Sequence, residues 1–147
     1  MEKFSKILVA VDGSEQSMQA ADYAIELAKK YNAQLTALTV SHIRLSSYGF
    51  GSRPDTIKHD REKEMLESQQ WFRTIEEAGT RHNISLKMDL IDSQMSVEGT
   101  IVEYAESHSA DLIVIGTTGR SGFKKLLLGS VASGVVNYAT CPVMVVK

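Results

Sequence analysis

Residues 111–130 read DLIVIGTTGRSGFKKLLLGS. The opening, DLIVIG, is a short apolar run of leucine, isoleucine and valine that ends on a glycine, and this pattern predicts a fully buried strand. Three glycines then fall within seven residues, from Gly116 to Gly122. Glycine loses more backbone freedom on folding than any other residue, so such a cluster marks tight turns or a close approach of the backbone to a ligand. Beyond Ser130 the apolar positions Ala132, Val135, Val136 and Ala139 take up helical spacing. A strand, a glycine loop and a helix therefore follow one another.

Four further apolar segments share the character of DLIVIG: KILVAV (6–11), LTALTV (35–40), ISLKMDLI (84–91) and VMVV (143–146). Longer stretches separate them, with stripes at Met18, Ala21, Ile25 and Ala28, at Met65, Phe72, Ile75 and Gly79, and at Ile101 and Ala105. Strands alternating with helical patterns predict βαβ units and a parallel sheet. The first and fourth segments are nearly continuous in aliphatic residues, as expected of central strands covered on both faces. ISLKMDLI alternates instead, which places it at an edge with one wetter face. Ser14 and Ser96 are expected to cap the first and third helices. Residues 41–55, with Gly49, Gly51 and Pro54, are expected to form a long connecting loop. Trp71 and Phe72 adjoin in the second helix and cannot both face the core, so one is expected at an interface or under that loop.

The chain has 147 residues, a formal net charge of −2 and a single cysteine. This length predicts one domain over residues 1–147, and the balanced charge gives no support for nucleic-acid binding. No apolar run approaches the roughly 20 residues needed to cross a bilayer. The opening MEKFSKILVAVDGSE lacks the apolar core and cleavage site of a secretory signal, so a cytoplasmic, membrane-free protein is expected. Cys141, ahead of Pro142, reads as a packed residue. The four histidines are scattered without metal-ligand spacing, and no metal site is predicted.

In open parallel sheets, ligands bind beyond the carboxyl ends of the strands where the strand order reverses. VDGS (11–14), SHIR (41–44) and the glycine loop all leave strands on that side. The loop then enters a helix near Ser130, where unpaired N–H groups and the helix dipole favour an anion such as phosphate. Two familiar phosphate loops are excluded. No glycine has a Gly-Lys pair five residues on, and the one Gly-x-Gly, Gly49 to Gly51, meets Pro54 where a third glycine belongs. Signs of catalysis are also missing: there is no Ser-x-Gly elbow and no carboxylate pair near the loop. Asp12 reads either as a turn former ahead of Ser14 or as a site residue able to orient a water. Lys124 and Lys125, beside a leucine run, are placed outside the site as a solvated edge.

Gly116, two residues, Gly119, nine residues and then Gly129-Ser130 form a spacing that resembles the nucleotide-binding motif of the universal stress protein family. The resemblance extends to the opening strand ending in VDGSE and to the close CPVMVVK. It implies a flavodoxin-like (Rossmann-like) α/β fold, a five-stranded parallel sheet of order 3-2-1-4-5 with helices on both faces. It implies that ATP, or else ADP or AMP, is bound, with Mg²⁺ carried by the nucleotide phosphates. Ala10, Val11 and Asp12 would line the adenine and ribose side, and the Val40 main chain would read the adenine edge. Ile115, Gly116, Thr117 and Gly119 would let the backbone approach the phosphates, and Arg120 would add charge. Gly129, Ser130 and Val131 would hold phosphate and ribose at the helix N-terminus. Thr118 and Ala132 depart from the family, standing where many members carry His or Arg and where some carry Thr or Ser.

The apolar final strand 143–146 needs pairing or cover, which predicts a homodimer through it, as the family also implies. The reading is a nucleotide-responsive regulatory dimer in stress response, with an unidentified protein partner. A nucleotide-cleaving enzyme with slow ATP hydrolysis and a dimeric scaffold without nucleotide are the alternatives.

Overall fold

The computed structural model describes residues 3–41, 53–118 and 128–147. In chain order these form β1 (Lys6–Ala10), α1 (Glu15–Tyr31), β2 (Gln34–Val40), α2 (Pro54–Arg81) and β3 (Ser85–Ile91). They continue as α3 (Val97–Ser107), β4 (Leu112–Gly116), α4 (Ser130–Tyr138) and β5 (Val143–Val146). The strands make one parallel sheet of order β3-β2-β1-β4-β5, as expected. β1 is central, with Leu8 opposite Thr36 on one side and Ile113 on the other.

Alternation along the strands divides the core between two layers, because neighbouring residues point to opposite faces. Ile7, Val9, Leu35, Ala37, Leu112 and Val114 pack under α1 and α2, with Ala20, Ala24, Ile25 and Ile75 from those helices. Leu8, Leu38, Ile113 and Ile115 pack under α3 and α4, with Ile101, Tyr104, Ala132 and Val135. Each fully buried aliphatic side chain contributes roughly 1.5–3 kcal/mol relative to its exposed state. Both faces of β1 and β4 are covered in this way, and their aliphatic runs follow from it.

α1 and α3 start at the caps their sequences predict. Ser14 Oγ accepts the Ser17 amide at 3.2 Å, and Ser96 Oγ accepts the Gly99 amide at 3.1 Å. Asn32 closes α1 in the left-handed region at φ 52°, after Lys29 and Lys30 in the last turn.

Three expectations need correction. Met65 is 53% exposed and does not join the α2 stripe. That helix has 28 residues, about 42 Å at 1.5 Å per residue, so it outruns the sheet, and its inward positions are Glu64, Ser68, Ile75 and Gly79. Val136 is likewise exposed, because the short α4 turns only Ala132 and Val135 fully inward. Trp71 and Phe72 are both half-buried against the α1–α2 layer, so neither is wholly inside the core, as their adjacency requires. Of residues 41–55, Pro54 and Asp55 belong to α2, and 42–52 lie outside the described residues. Cys141 packs against the α3–α4 layer, and burial pushes its thiol up, consistent with a packed residue. No described helix is long and apolar enough to cross a membrane.

Candidate functional site

Crossovers run one way from β1 to β2 and the other way from β3 to β4, so the strand order reverses between β1 and β4. A cavity of about 240 Å³ opens at the carboxyl ends of these strands. β1 contributes Ala10, Val11 and Asp12; β2 contributes Leu38, Thr39 and Val40. β4 and the residues after it give Ile115, Gly116, Thr117 and Thr118. The first turn of α4 adds Gly129, Ser130, Val131 and Ala132. Ser17 of α1, Val97 and Ile101 of α3, and Glu64 and Trp71 of α2 complete the lining.

The α4 terminus is the electropositive part of this wall. Gly129 is its N-cap, extended at φ −68° and ψ 167°, and among the described residues no side chain caps it. The Gly129 amide donates to Thr117 O at 2.6 Å, and the first intrahelical bond runs from Ser133 N to Gly129 O at 2.8 Å. The amides of Ser130, Val131 and Ala132 therefore have no intrahelical acceptor, and the aligned peptide dipoles add partial positive charge. Thr117 is itself tied to β5 by its amide, which donates to Val146 O at 3.0 Å. A Cβ at Gly129 would lie 3.0 Å from Thr117 O. That close approach is what brings α4 against the end of β4.

Gly116 has a second reason to be glycine. A Cβ there would lie 3.0 Å from the Gln16 carbonyl oxygen, so the missing side chain lets α1 pack against β4. Asp12 is the turn former into α1, its Oδ1 accepting the Ser14 amide at 2.9 Å, and it also lines the cavity.

The opposite wall is built by α2. Trp71 Nε1 donates to Thr39 Oγ1 at 3.1 Å, and Thr39 Oγ1 donates to Val11 O at 2.9 Å. The indole lies over Gly13, whose φ is +84° and where a Cβ would meet the ring at 2.4 Å. Glu64, only 5% exposed, accepts a hydrogen bond from Ser41 Oγ just past the end of β2.

Ten of the residues expected at the site line this one cavity: Ala10, Val11, Asp12, Val40, Ile115, Gly116, Thr117, Gly129, Ser130 and Val131. Gly119 and Arg120 lie outside the described residues, as do Lys124 and Lys125. Sequence reasoning missed Ser17, Leu38, Thr39, Glu64, Trp71, Val97 and Ile101. Leu38 and Thr39 follow from Val40, since they share a strand end. Glu64 carried no such signal, because a search for apolar periodicity passes over a polar inward position, and Trp71 was singled out only for its adjacency to Phe72.

A doubly wound sheet with its cavity at the switch point defines a flavodoxin-like α/β protein. The chain belongs to the universal stress protein family, whose model matches residues 3–147. It is 35% identical to universal stress protein MJ0531 of Methanocaldococcus jannaschii over 146 residues, 98% of this chain and 82% of that protein. Universal stress protein YxiE of Bacillus subtilis is 33% identical, covering 98% of this chain and 99% of the relative. Among solved structures, universal stress protein UspA from Lactobacillus plantarum superposes with a TM-score of 0.88 at 29% identity, covering 98% of both chains. The fold is also that of a universal stress protein solved with cAMP (TM-score 0.69), one from Archaeoglobus fulgidus with dAMP (0.70) and one from Arabidopsis thaliana with AMP (0.68). These three are 23%, 20% and 16% identical and cover 97–100% of this chain.

Proposed function

We propose that this protein is an adenine-nucleotide-binding universal stress protein, one domain over residues 1–147 whose nucleotide occupancy acts as a regulatory signal in the cytoplasm. The observation that carries this reading is the α4 terminus, where three amides without intrahelical acceptors border a cavity at the switch point. Phosphate supplies the acceptors that this terminus lacks, at roughly 1.5–3 kcal/mol for each hydrogen bond to a charged group. Mainly aliphatic residues with a few polar groups line the rest, as suits a purine and ribose. ATP is the expected ligand, with Mg²⁺ held by its phosphates. The relatives solved with AMP, dAMP and cAMP support the adenine part of the reading.

The protein acts as a homodimer. β5 lies at the sheet edge with Val143, Met144 and Val145 half-buried, and Val136 and Tyr138 of the adjoining α4 are exposed. A second copy laid along that edge covers all five, and sedimentation is expected to give twice the chain mass. A protein partner reads the nucleotide state.

The direct test is to purify the protein without added nucleotide, denature it and identify released small molecules by mass spectrometry. Adenine nucleotide near one per chain is the expected result. If the protein is empty, titration with ATP and Mg²⁺ should change the fluorescence of Trp71, the single tryptophan, which lines the cavity. Neither release nor a titration signal would reject nucleotide binding. Gly116 favours one rival, a dimeric scaffold, since packing against Gln16 alone accounts for that glycine. The scaffold predicts a dimer whose stability is indifferent to ATP.

A further inference from the structure

The switch-point cavity has a counterpart at the other end of the sheet. A second cavity, of about 310 Å³, opens beside the first residues of β1 and β2 and the end of α3. Lys6, Gln34, Thr36 and Lys87 line it from the strands, and Tyr104 and His108 line it from the helix end. The register puts the four strand residues on one face, since Lys6 lies opposite Gln34, Leu8 opposite Thr36, and Thr36 opposite Lys87. Both lysines are exposed, and both stand on paired strands, which hold their backbones in place.

The helix side is held by its own bonds. His108 stacks on the buried Tyr104, with ring centroids 3.8 Å apart and planes 15° from parallel. Its Nδ1 meets Tyr104 O at 2.9 Å, and because a carbonyl only accepts, Nδ1 carries the proton. Among the described residues, neither an acidic side chain nor an arginine lines the cavity. The carboxylates bonded to its lining already hold donors: Asp89 Oδ2 accepts the Tyr104 hydroxyl at 3.1 Å, and Asp111 Oδ2 accepts the Ser5 amide at 2.8 Å and the Lys6 amide at 3.2 Å. The C-terminus of α3 adds about half a negative charge, against two full positive charges from the lysines. The cavity is therefore electropositive.

We propose that this cavity is a second ligand site, which takes a phosphate group between Lys6 and Lys87. Their backbones stand two strand spacings and two residues apart, roughly 12 Å, so the two long side chains can meet on one anion over Gln34 and Thr36. Ammonium groups act as point charges and suit a tetrahedral oxyanion with acceptors on every side. A planar carboxylate draws more on the two-pronged fork of arginine, which this lining lacks. The site is separate from the switch-point cavity, and α3 borders both, with Val97 and Ile101 on the one and Tyr104 and His108 on the other.

The test titrates inorganic phosphate into the isotope-labelled full chain and follows the backbone amides by NMR. Residues 107–110 report on this cavity and 130–132 on the α4 terminus, so the two sites are read apart, and the inference does not depend on the nucleotide reading. Saturating shifts at 107–110 are expected, and they should persist when ATP is present in excess. Lys6→Gln combined with Lys87→Gln, both at exposed positions, should weaken that response by about tenfold or more and leave the response at 130–132 unchanged. Either single variant carries the test if the pair does not fold. Citrate, whose anionic groups are carboxylates, should bind at 107–110 more weakly than phosphate by a similar factor. Shifts at 107–110 that never saturate, or that saturate equally in the lysine variants, would overturn the site, and equal binding of citrate would overturn its assignment to phosphate.

Discussion

α1 and α4 both begin at the carboxyl end of a strand, and both border the same cavity, yet their first turns are completed in different ways. At α1 side chains close the entry turn: Ser14 Oγ accepts the Ser17 amide, Asp12 Oδ1 accepts the Ser14 amide, and Ser17 Oγ accepts the Asp12 amide at 3.2 Å. At α4 the cap is Gly129, which has no side chain to offer, and among the described residues the amides that follow have no intrahelical acceptor. The contrast, drawn among the described residues, is what the proposed phosphate site at α4 rests on.

That contrast is testable. Ser130→Pro should have the largest effect on binding. Proline is well accepted at the first helical position, and the extended Gly129 suits the residue before it. The variant therefore removes an amide and a hydroxyl while leaving the helix intact. Nucleotide affinity should fall by about 1.5–3 kcal/mol, roughly ten- to hundredfold, with little change in the melting temperature. Calorimetry and thermal unfolding measure the two separately. An unchanged affinity would show that the open terminus holds no phosphate.

Gly13→Ala should come next. It forces a side chain into a left-handed conformation at φ +84°, costing about 1–2 kcal/mol, and drives the new methyl into Trp71. Urea unfolding should show the loss of stability, and a shifted tryptophan emission should report the displaced indole.

Ser14→Ala sharpens the comparison from the other side. Loss of the α1 cap should cost about 1 kcal/mol of stability and leave nucleotide affinity within about twofold. A loss of affinity as large as that of Ser130→Pro would erase the distinction between the two termini. Ser17→Ala, the mildest change, leaves the Asp12 amide without that acceptor and should cost about 0.5–1 kcal/mol in chemical denaturation.

Much of this arrangement was readable in the sequence. The aliphatic runs of β1 and β4 gave their central places, because a strand covered on both faces has no wet side to record. The alternation of Leu86, Met88 and Leu90 with Lys87 and Asp89 gave β3 its place at the edge for the opposite reason. Ser14 and Ser96 were legible as caps, since capping is decided within four residues. Met65 and Val136 were misplaced because an apolar residue near a stripe is not thereby on it, and helix length and packing angle decide where the stripe ends.

The sequence by itself determined the parallel α/β sheet, the central places of β1 and β4 and the glycine loop that leads from β4 into α4, while the strand order came through the family resemblance. The first three rest on periodicity, glycine spacing and strand-to-helix turns, interactions that span a few residues. Tertiary structure alone decided the α2 half of the cavity. Glu64 reaches Ser41, and Trp71 reaches Thr39 and Gly13, across separations of 23, 32 and 58 residues. No local preference fixes such distances. They follow from how α2 lies against α1 and β3, with Gly79 packed on Ile84 and Leu86.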